Sequence, residues 1–208
     1  MSITLSSWTR LWGELGATTV NGGLMNQLVA AYSERQRHYH TLQHLRECLA
    51  QFDAAASLAR RPAEVELALW FHDAVYQPQR GDNEERSAQW ASDSVLAAGS
   101  APEIARRVRD LVLATKQHTA AADDLDTSLL LDVDLAILGA APARFDEFER
   151  QVRAEYAHME EATFRARRAG ILAGFLARPR IYATPAFHDA LEQRARANLQ
   201  RSVVSLTR

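Results

Sequence analysis

Residues 68–76 read ALWFHDAVY and place a polar pair, His72 and Asp73, inside an otherwise apolar segment. Pro62 stands shortly before this segment and suits the start of a helix, because proline is tolerated in the first helical turn. On a helix that begins there, apolar residues and the histidine fall on one stripe: Val65, Ala68, Leu69, His72 and Tyr76. The stretch therefore predicts a helix whose inward face carries an imidazole.

The same helical periodicity runs through the rest of the chain, and we find no convincing run of alternating strand residues. Glycine and proline fall mostly between the periodic segments, where they favour turns. Helices are expected near residues 8–15, 22–34, 41–56, 63–75, 83–98, 102–117, 127–138, 143–157, 160–177 and 185–203. The sequence has no internal repeat and no long linker, so it predicts an all-α fold in a single domain over residues 1–208.

The composition limits the classes of function. The 208 residues are 47% hydrophobic and carry a formal net charge of −2, without the basic excess typical of a nucleic-acid binder. Cys48 is the only cysteine, which excludes a disulfide framework and a zinc site built from cysteines, and indicates a reducing compartment. Residues 1–16 lack a signal-peptide pattern, and no apolar stretch approaches the length of a membrane span. We therefore expect a cytoplasmic protein that binds neither a nucleic-acid duplex nor a membrane.

The pair His72-Asp73 has two interpretations. A carboxylate on a buried face is costly unless a cation or hydrogen bonds compensate it. A metal ion supplies that compensation, because neutral imidazole and ionised carboxylate are both good ligands. Alternatively, His72 is a neutral core histidine and Asp73 a capping or ion-paired residue, and for such a pair in isolation this is the commoner outcome.

Another carboxylate interrupts the apolar stripe of SLLLDVDLAILG, residues 128–139. Asp134 is thus a candidate for a buried metal ligand, whereas Asp132 lies further round the helix and is either a neighbour of the ligands or exposed. The alternative for Asp134 is an ion pair with a buried arginine such as Arg168. The stripe on which Asp134 falls contains Leu130, Leu131, Ile137 and Leu138.

The segment RHYHTLQH, residues 37–44, holds three of the seven histidines. His40 and His44 are four residues apart and are expected to share one helix face. His44 continues into a stripe with Cys48 and therefore faces inward, either as a satisfied core histidine or as a ligand. His38 lies off that face and is expected in solvent.

His44, the His72-Asp73 pair and Asp134 follow one another on three different predicted helices. This order resembles the HD superfamily of metal-dependent phosphohydrolases, whose signature is a histidine, a His-Asp doublet and a distal aspartate on a helical bundle. The closer resemblance is to the bacterial group of predicted metal-dependent HD phosphohydrolases. It is carried by RHYHTLQH, WFHDAVY, DNEERSA and DVDLAILG and, towards the C-terminus, by EYAHMEEATFRARRAGILAGFL and LEQRARANL.

The resemblance implies an HD-type helical bundle with a metal-site core at about residues 37–138, completed by helices within 143–203. It also implies hydrolysis of a phosphate ester or phosphoanhydride in a small, nucleotide-like molecule. A divalent cation would be required, with Mn, Mg, Zn, Fe, Co and Ni all open. The ligands that the resemblance implies are His44, His72, Asp73 and Asp134.

His40 and His44, in the segment RHYHTLQH, carry a further resemblance. The form Tyr-His-x-x-x-His is similar to the start of the cyclic-nucleotide phosphodiesterase site, which implies that His44 is the ligand and His40 the general acid. The sequence departs from that pattern at Thr41, where those enzymes usually carry asparagine. Shorter HD domains leave the reverse order of the two histidines open.

Five more side chains are candidates for the same site. Glu84 lies on the inward stripe of its predicted helix and matches the acidic residue that orients the attacking water in HD phosphohydrolases; an ion pair is its alternative. Asp73 can share this catalytic role. Contacts with phosphate are expected from cationic and imidazole side chains, since guanidinium binds phosphate through paired hydrogen bonds. These candidates are Arg37, Lys116, His118 and Arg168.

Two other classes of function stay open beside the phosphohydrolase. One is a non-catalytic module that keeps its metal to sense a nucleotide. The other is an HD-type di-iron oxygenase, which the small number of additional histidines disfavours. In each case the expected partner is a small molecule, phosphorylated in the favoured interpretation, and homodimer formation is left open.

Overall fold

Helices account for the whole architecture. A computed structural model describes residues 3–121 and 123–208, and within these residues it contains ten α-helices, two 3-10 segments and no strand. The predicted all-α class is confirmed. The helices are α1 (Leu5–Glu14), α2 (Gly22–Ala31), α3 (Leu42–Ala55), α4 (Pro62–Phe71), α5 (Asn83–Ala97), α6 (Pro102–Ala114), α7 (Leu125–Asp134), α8 (Pro142–Glu155), α9 (Glu161–Ala177) and α10 (Pro185–Thr207).

α4 and α6 are among the helices that end earlier than the periodicity predicts. α4 stops at Phe71, so His72 is its C-terminal cap and Asp73 lies in the turn that follows. α6 stops at Ala114, which places His118 beyond the helix with a left-handed φ of 48°. A residue in this conformation commonly terminates a helix. Both predicted helices are therefore too long, because an apolar pattern does not by itself mark where the backbone hydrogen bonds of a helix end.

The contacts between helices divide the chain into two compact units, one running to Val133 and the other from Asp134 to Arg208. The first contains α1 to α6 and nearly all of α7, and the second contains a 3-10 segment (Leu135–Gly139) and α8 to α10. The organisation of residues 1–208 as one domain stays a prediction. No helix formed by the described residues is both long enough and apolar enough to cross a membrane.

α4 is the centre of the first unit. Every residue from Glu64 to Phe71 is buried, and α4 packs against α1, α3, α5 and α6. A helix buried on all sides differs from the single inward stripe that the sequence predicts. The reason is that its two glutamates are compensated by ion pairs: Glu64 binds Arg107 at 2.6 and 2.7 Å, and Glu66 binds Arg10 at 2.8 and 3.0 Å.

Polar contacts from α10 organise the second unit. Asn198 donates hydrogen bonds to the carbonyls of Leu138 and Ala140, both at 2.9 Å. These contacts satisfy carbonyl groups that the end of the 3-10 segment leaves without helical partners. The expected α-helix over 127–138 stops at Asp134, and Gly139 ends the 3-10 segment that follows; a Cβ atom at Gly139 would lie 2.7 Å from the Leu191 side chain.

Glu192 of α10 is a buried carboxylate that closes the loop before its own helix. It accepts hydrogen bonds from the backbone N–H groups of Ile181 and Tyr182 at 3.0 to 3.2 Å, and from Arg196 Nε at 2.8 Å. Burial alone would raise the pKa of Glu192, but these donors lower it below its ordinary value. The ionised form is therefore the one that stabilises the fold.

Glu192→Gln should lower the free energy of unfolding by about 1.5–3 kcal/mol at neutral pH, because it weakens hydrogen bonds to a charged group. Since the folded pKa lies below the unfolded value of about 4.3, this contribution is present above that pH and is lost as the pH falls through the folded pKa. Urea denaturation at several pH values measures it. Asp189→Asn, on an exposed position of α10, is the control, and an equal loss in both variants would contradict the assignment.

Candidate metal centre

His44 enters the site from the first turn of α3. Thr41 caps this helix by accepting a hydrogen bond from the Gln43 N–H at 3.2 Å, which makes Leu42 the first helical residue. His44 is 2% exposed, so its imidazole lies in the interior of the first unit. Its predicted inward orientation is confirmed.

His72 reaches the same place from the end of α4. Its Nδ1 lies 2.8 Å from the carbonyl oxygen of Leu69. A carbonyl only accepts, so Nδ1 must carry the proton and donate it. In the neutral imidazole, Nε2 then holds a lone pair, and this atom lies 3.0 Å from Nε2 of His44.

Asp73 completes the arrangement from the turn after α4. Its Oδ2 lies 2.9 Å from His72 Nε2 and 3.4 Å from His44 Nε2. Burial alone would raise the pKa of this carboxyl group. The charges of His72 and His40, with hydrogen bonds from His44 and His72, instead hold the pKa well below its usual range. Asp73 is therefore ionised at neutral pH.

The contact between Asp73 and His72 requires a positive charge. An ionised carboxylate oxygen and an imidazole lone pair repel each other at 2.9 Å, unless a proton or a metal ion lies between them. A proton makes His72 an imidazolium. A divalent ion satisfies both groups at once and can engage His44 as well.

The distance between the two histidine nitrogens fits two ligands of one metal ion. Two nitrogens that each lie about 2.1 Å from one ion, at right angles to each other, are about 3.0 Å apart, and the two Nε2 atoms are 3.0 Å apart. One ligand atom from each of four residues lies within 4.8 Å of the other three, and these residues are His44, Cys48, His72 and Asp134. This cluster can therefore hold a metal ion.

Asp134 and Asp132 lie on the last turn of α7. Asp134, the final residue of this helix, is the one whose carboxylate joins the cluster, as its position on the stripe predicts. Asp132 is 1% exposed, so the alternative in which it faces solvent is wrong. Asp134 is partly buried, and tertiary packing buries Asp132 more completely, which the stripe does not predict.

Cys48 is the member of the cluster that the sequence did not predict as a ligand. It is a free thiol, 2% exposed, and its Sγ lies 3.6 Å from Nδ1 and 3.7 Å from Nε2 of His44. One cysteine cannot build a cysteine-only zinc site, but that argument does not exclude a mixed one. The signal available in the sequence was its spacing of four residues from His44 on one helix face.

Arg37 lies behind the turn that carries Asp73. Its side chain is completely buried and donates hydrogen bonds to the carbonyls of His40, Asp73 and Ala74 at 3.2, 2.6 and 2.9 Å. Its Nε binds Glu34 at 3.0 Å. This predicted phosphate-binding residue thus holds backbone atoms in place, and none of its side chain faces solvent.

His40 stands beside the cluster without belonging to a helix. It precedes the cap residue Thr41, so the helix face predicted for it and His44 is wrong. The structure still brings the two rings to a centroid distance of 5.9 Å. The His40 ring is partly buried and stacks on Tyr76 at 4.1 Å with an angle of 26° between the planes. The stacking on Tyr76 therefore holds the His40 ring near His44, although the two residues do not share a helix face.

The other candidates have different surroundings. Glu84 lies partly buried in the first turn of α5. Lys116 donates to the Gly81 carbonyl at 2.8 Å and forms an ion pair with Glu85. His118 lies in the turn after α6. Their catalytic and phosphate-binding roles stay predictions.

Arg168 belongs to α9, in the second unit. Its Nε binds Glu149 of α8 at 3.2 Å, and its guanidinium lies over the Phe148 ring at 4.9 Å. The ion pair considered from the sequence joined Arg168 to Asp134; the acidic partner of Arg168 is instead Glu149, which is partly buried. Its contact with phosphate also stays a prediction.

Comparison with known proteins finds no match to this chain among protein-family models, characterised proteins or solved structures. The class that the fold and the site define is thus an all-α protein with a buried histidine, carboxylate and thiol cluster that can hold a metal ion. Membership of the HD superfamily is a proposal, supported by the motifs and by the geometry described above.

Asp134→Asn should lower metal retention far more than Asp132→Asn, because only the Asp134 carboxylate joins the cluster. Both substitutions keep side-chain volume and lie on the same turn of α7, so they form a matched pair. Elemental analysis after purification and titration with Mn²⁺ or Zn²⁺ measures the difference. Loss of metal in Asp132→Asn with retention in Asp134→Asn would show that the ligand is misassigned.

Proposed function

We propose that the protein is a metal-dependent phosphohydrolase of the HD type, acting on a phosphate ester or phosphoanhydride of a small, nucleotide-like molecule. The observation that carries the proposal is the convergence of His44, His72 and Asp73 with mutual distances of 2.9 to 3.4 Å. Asp134 supplies the fourth ligand from α7. The cluster that includes Asp134 contains His44, Cys48 and His72, and we propose Asp73 as a ligand from its contacts with both histidines.

The ligand residues prepare the site for a cation through their own contacts. The hydrogen bond from His72 Nδ1 to Leu69 keeps the Nε2 lone pair directed at the cluster, as is usual for metal-binding histidines. The low pKa of Asp73 keeps its carboxylate ionised. A divalent ion supplies polarisation of the phosphoryl group and a lowered pKa for water in such sites.

Asp73 has a second task in this proposal. Its Oδ2 faces the two histidines, and its side chain is 19% exposed, so the carboxylate is accessible to water. A carboxylate accepts hydrogen bonds and can orient a water molecule towards phosphorus. Glu84 is the further candidate for accepting the proton of that water. Arg37 fixes the position of Asp73 by holding its carbonyl oxygen at 2.6 Å, and we assign it this structural role.

His40 is the proposed proton donor to the leaving oxygen. Its ring is held against Tyr76 on one face, which restricts its orientation, and it remains partly exposed beside Asp73. The charge of His40 also helps to hold the pKa of the Asp73 carboxyl group low, so the two side chains are close enough to act on the same substrate. His44 has no freedom for this role because its Nε2 faces His72.

The free thiol Cys48 suits a reducing compartment, and we propose a cytoplasmic location on that basis. The phosphorylated small molecule is the proposed partner. Neither a nucleic-acid duplex nor a membrane is part of the proposal.

Phosphate release from a panel of nucleotides and sugar phosphates, measured with Mg²⁺, Mn²⁺, Co²⁺, Ni²⁺, Fe²⁺ and Zn²⁺ in turn, tests the function. We expect release with at least one ion, abolished by a chelator and by His72→Ala. A protein that binds metal and nucleotide but releases phosphate with no ion is a sensor instead. Oxygen consumption by the iron form, without phosphate release, identifies an oxygenase.

His40→Ala and His44→Ala should differ in metal content and in the substrates on which they lose activity. His44→Ala removes a ligand, so metal content and turnover fall together. His40→Ala should keep the metal and lose roughly 10²–10⁴-fold in rate on an alkyl phosphate, the usual contribution of a general acid. The loss should be much smaller on nitrophenyl phosphate, whose leaving group needs little protonation.

The control for this pair is His38→Ala, since His38 is exposed two residues before His40. It should match wild type in metal content and in both rates. A metal-free His40→Ala beside a metal-loaded His44→Ala would reverse the two roles. Equal slowing of both substrates by His40→Ala would mean that His40 positions phosphate and does not donate a proton.

A further inference from the structure

Cys48 adds a chemically different ligand type to the candidate metal centre. It lies one helical turn after His44 on α3 and is 2% exposed. Its Sγ is the only thiol sulfur in the chain. The proposed phosphohydrolase ligands are nitrogen and oxygen donors, and they make no use of this atom.

The distances bring the sulfur within reach of a shared ion. A thiolate about 2.3 Å and an imidazole nitrogen about 2.1 Å from one tetrahedral ion are about 3.6 Å apart, and Sγ lies 3.7 Å from His44 Nε2. In that geometry the two Nε2 atoms, which lie 3.0 Å apart, must separate to about 3.4 Å. Sγ is equally distant from Nδ1, at 3.6 Å, so it lies over the imidazole ring. Ligation therefore requires a rotation of the Cys48 side chain about its Cα–Cβ bond, which moves one atom towards the Nε2 side.

The site consequently offers two sets of donors around the same two imidazoles. Asp73 contacts both histidines through Oδ2 at 2.9 and 3.4 Å. The four atoms that lie mutually within 4.8 Å include Cys48 Sγ and an Asp134 oxygen beside the histidine nitrogens. Carboxylates suit hard ions such as Mg²⁺ and Mn²⁺, whereas thiolate selects softer ions such as Zn²⁺ and Co²⁺.

We propose that Cys48 binds the ion as a thiolate when the site holds Zn²⁺ or Co²⁺, and that it makes the site selective for these ions over Mg²⁺. The inference rests on the metal centre of the proposed function, and it does not depend on which phosphate ester is hydrolysed. On binding, the S–H bond breaks, a sulfur–metal bond forms and the proton passes to solvent, with no change of oxidation state.

Titration of the metal-free full-length protein with Co²⁺ tests the proposal directly. Thiolate ligation produces a sulfur-to-cobalt charge-transfer band in the near ultraviolet, and no other thiol in the chain can give it. We expect this band in wild type and its loss in Cys48→Ala and Cys48→Ser. Competition with a chromophoric chelator should show Zn²⁺ affinity reduced by at least about 10-fold in both variants, since even neighbours of ligands change metal affinity by ~10–100-fold.

Mg²⁺ and Mn²⁺ affinities of Cys48→Ser should match wild type, which separates loss of a ligand from collapse of the site. Co²⁺ bound by wild type without a charge-transfer band overturns the inference, whether or not the variants fold. In that case phosphate release with Mg²⁺ or Mn²⁺ leaves the proposed function standing. Failure of wild type to take up any divalent ion overturns both.

Discussion

The close contact between the partly buried Asp73 carboxylate and two imidazole rings is the constraint on which the candidate site depends. Asp73 lies 2.9 Å from His72 Nε2 and is ionised, while the Leu69 carbonyl holds the His72 proton on the opposite nitrogen. Burial strengthens electrostatic interactions because little water screens them. A cation at this place compensates the repulsion, and a divalent ion can contact the carboxylate and both imidazoles, whereas a proton lies between two atoms only.

The fold maintains this constraint by fixing the backbone around Asp73. α4 is buried on all sides, so its C-terminal end has little freedom. Arg37 holds the carbonyls of Asp73 and Ala74 from behind, and the Tyr32 hydroxyl accepts a hydrogen bond from the Asp73 N–H at 3.3 Å. Burial raises the pKa of Tyr32 to about 12, so this hydroxyl stays neutral. An arginine that appears in sequence as a phosphate contact is thus used to position a ligand.

The donor atoms of the candidate site differ in the metal ions that they prefer. Two histidines are compatible with most divalent ions, carboxylates favour the harder ones and the Cys48 thiol favours the softer ones. In the proposed function, Asp73 and Cys48 are alternative partners of the histidines and lie on different elements, so metal identity is linked to the choice between them.

The amino-acid sequence by itself determined the helices and indicated which side chains face inward, because both follow from short-range periodicity, whereas the proposed set of ligands rests on the resemblance to the HD superfamily. The stripes predicted that His44 and His72 face inward, and both are buried; Asp134 is partly buried and joins the same cluster. Tertiary structure decided what depends on contacts distant in the chain. The burial of Asp132 and of both α4 glutamates, the stacking of His40 on Tyr76, the clamp formed by Arg37 and the approach of Cys48 to the cluster are such cases. Helical spacing shows which face a residue occupies, but it contains no information on what packs against that face.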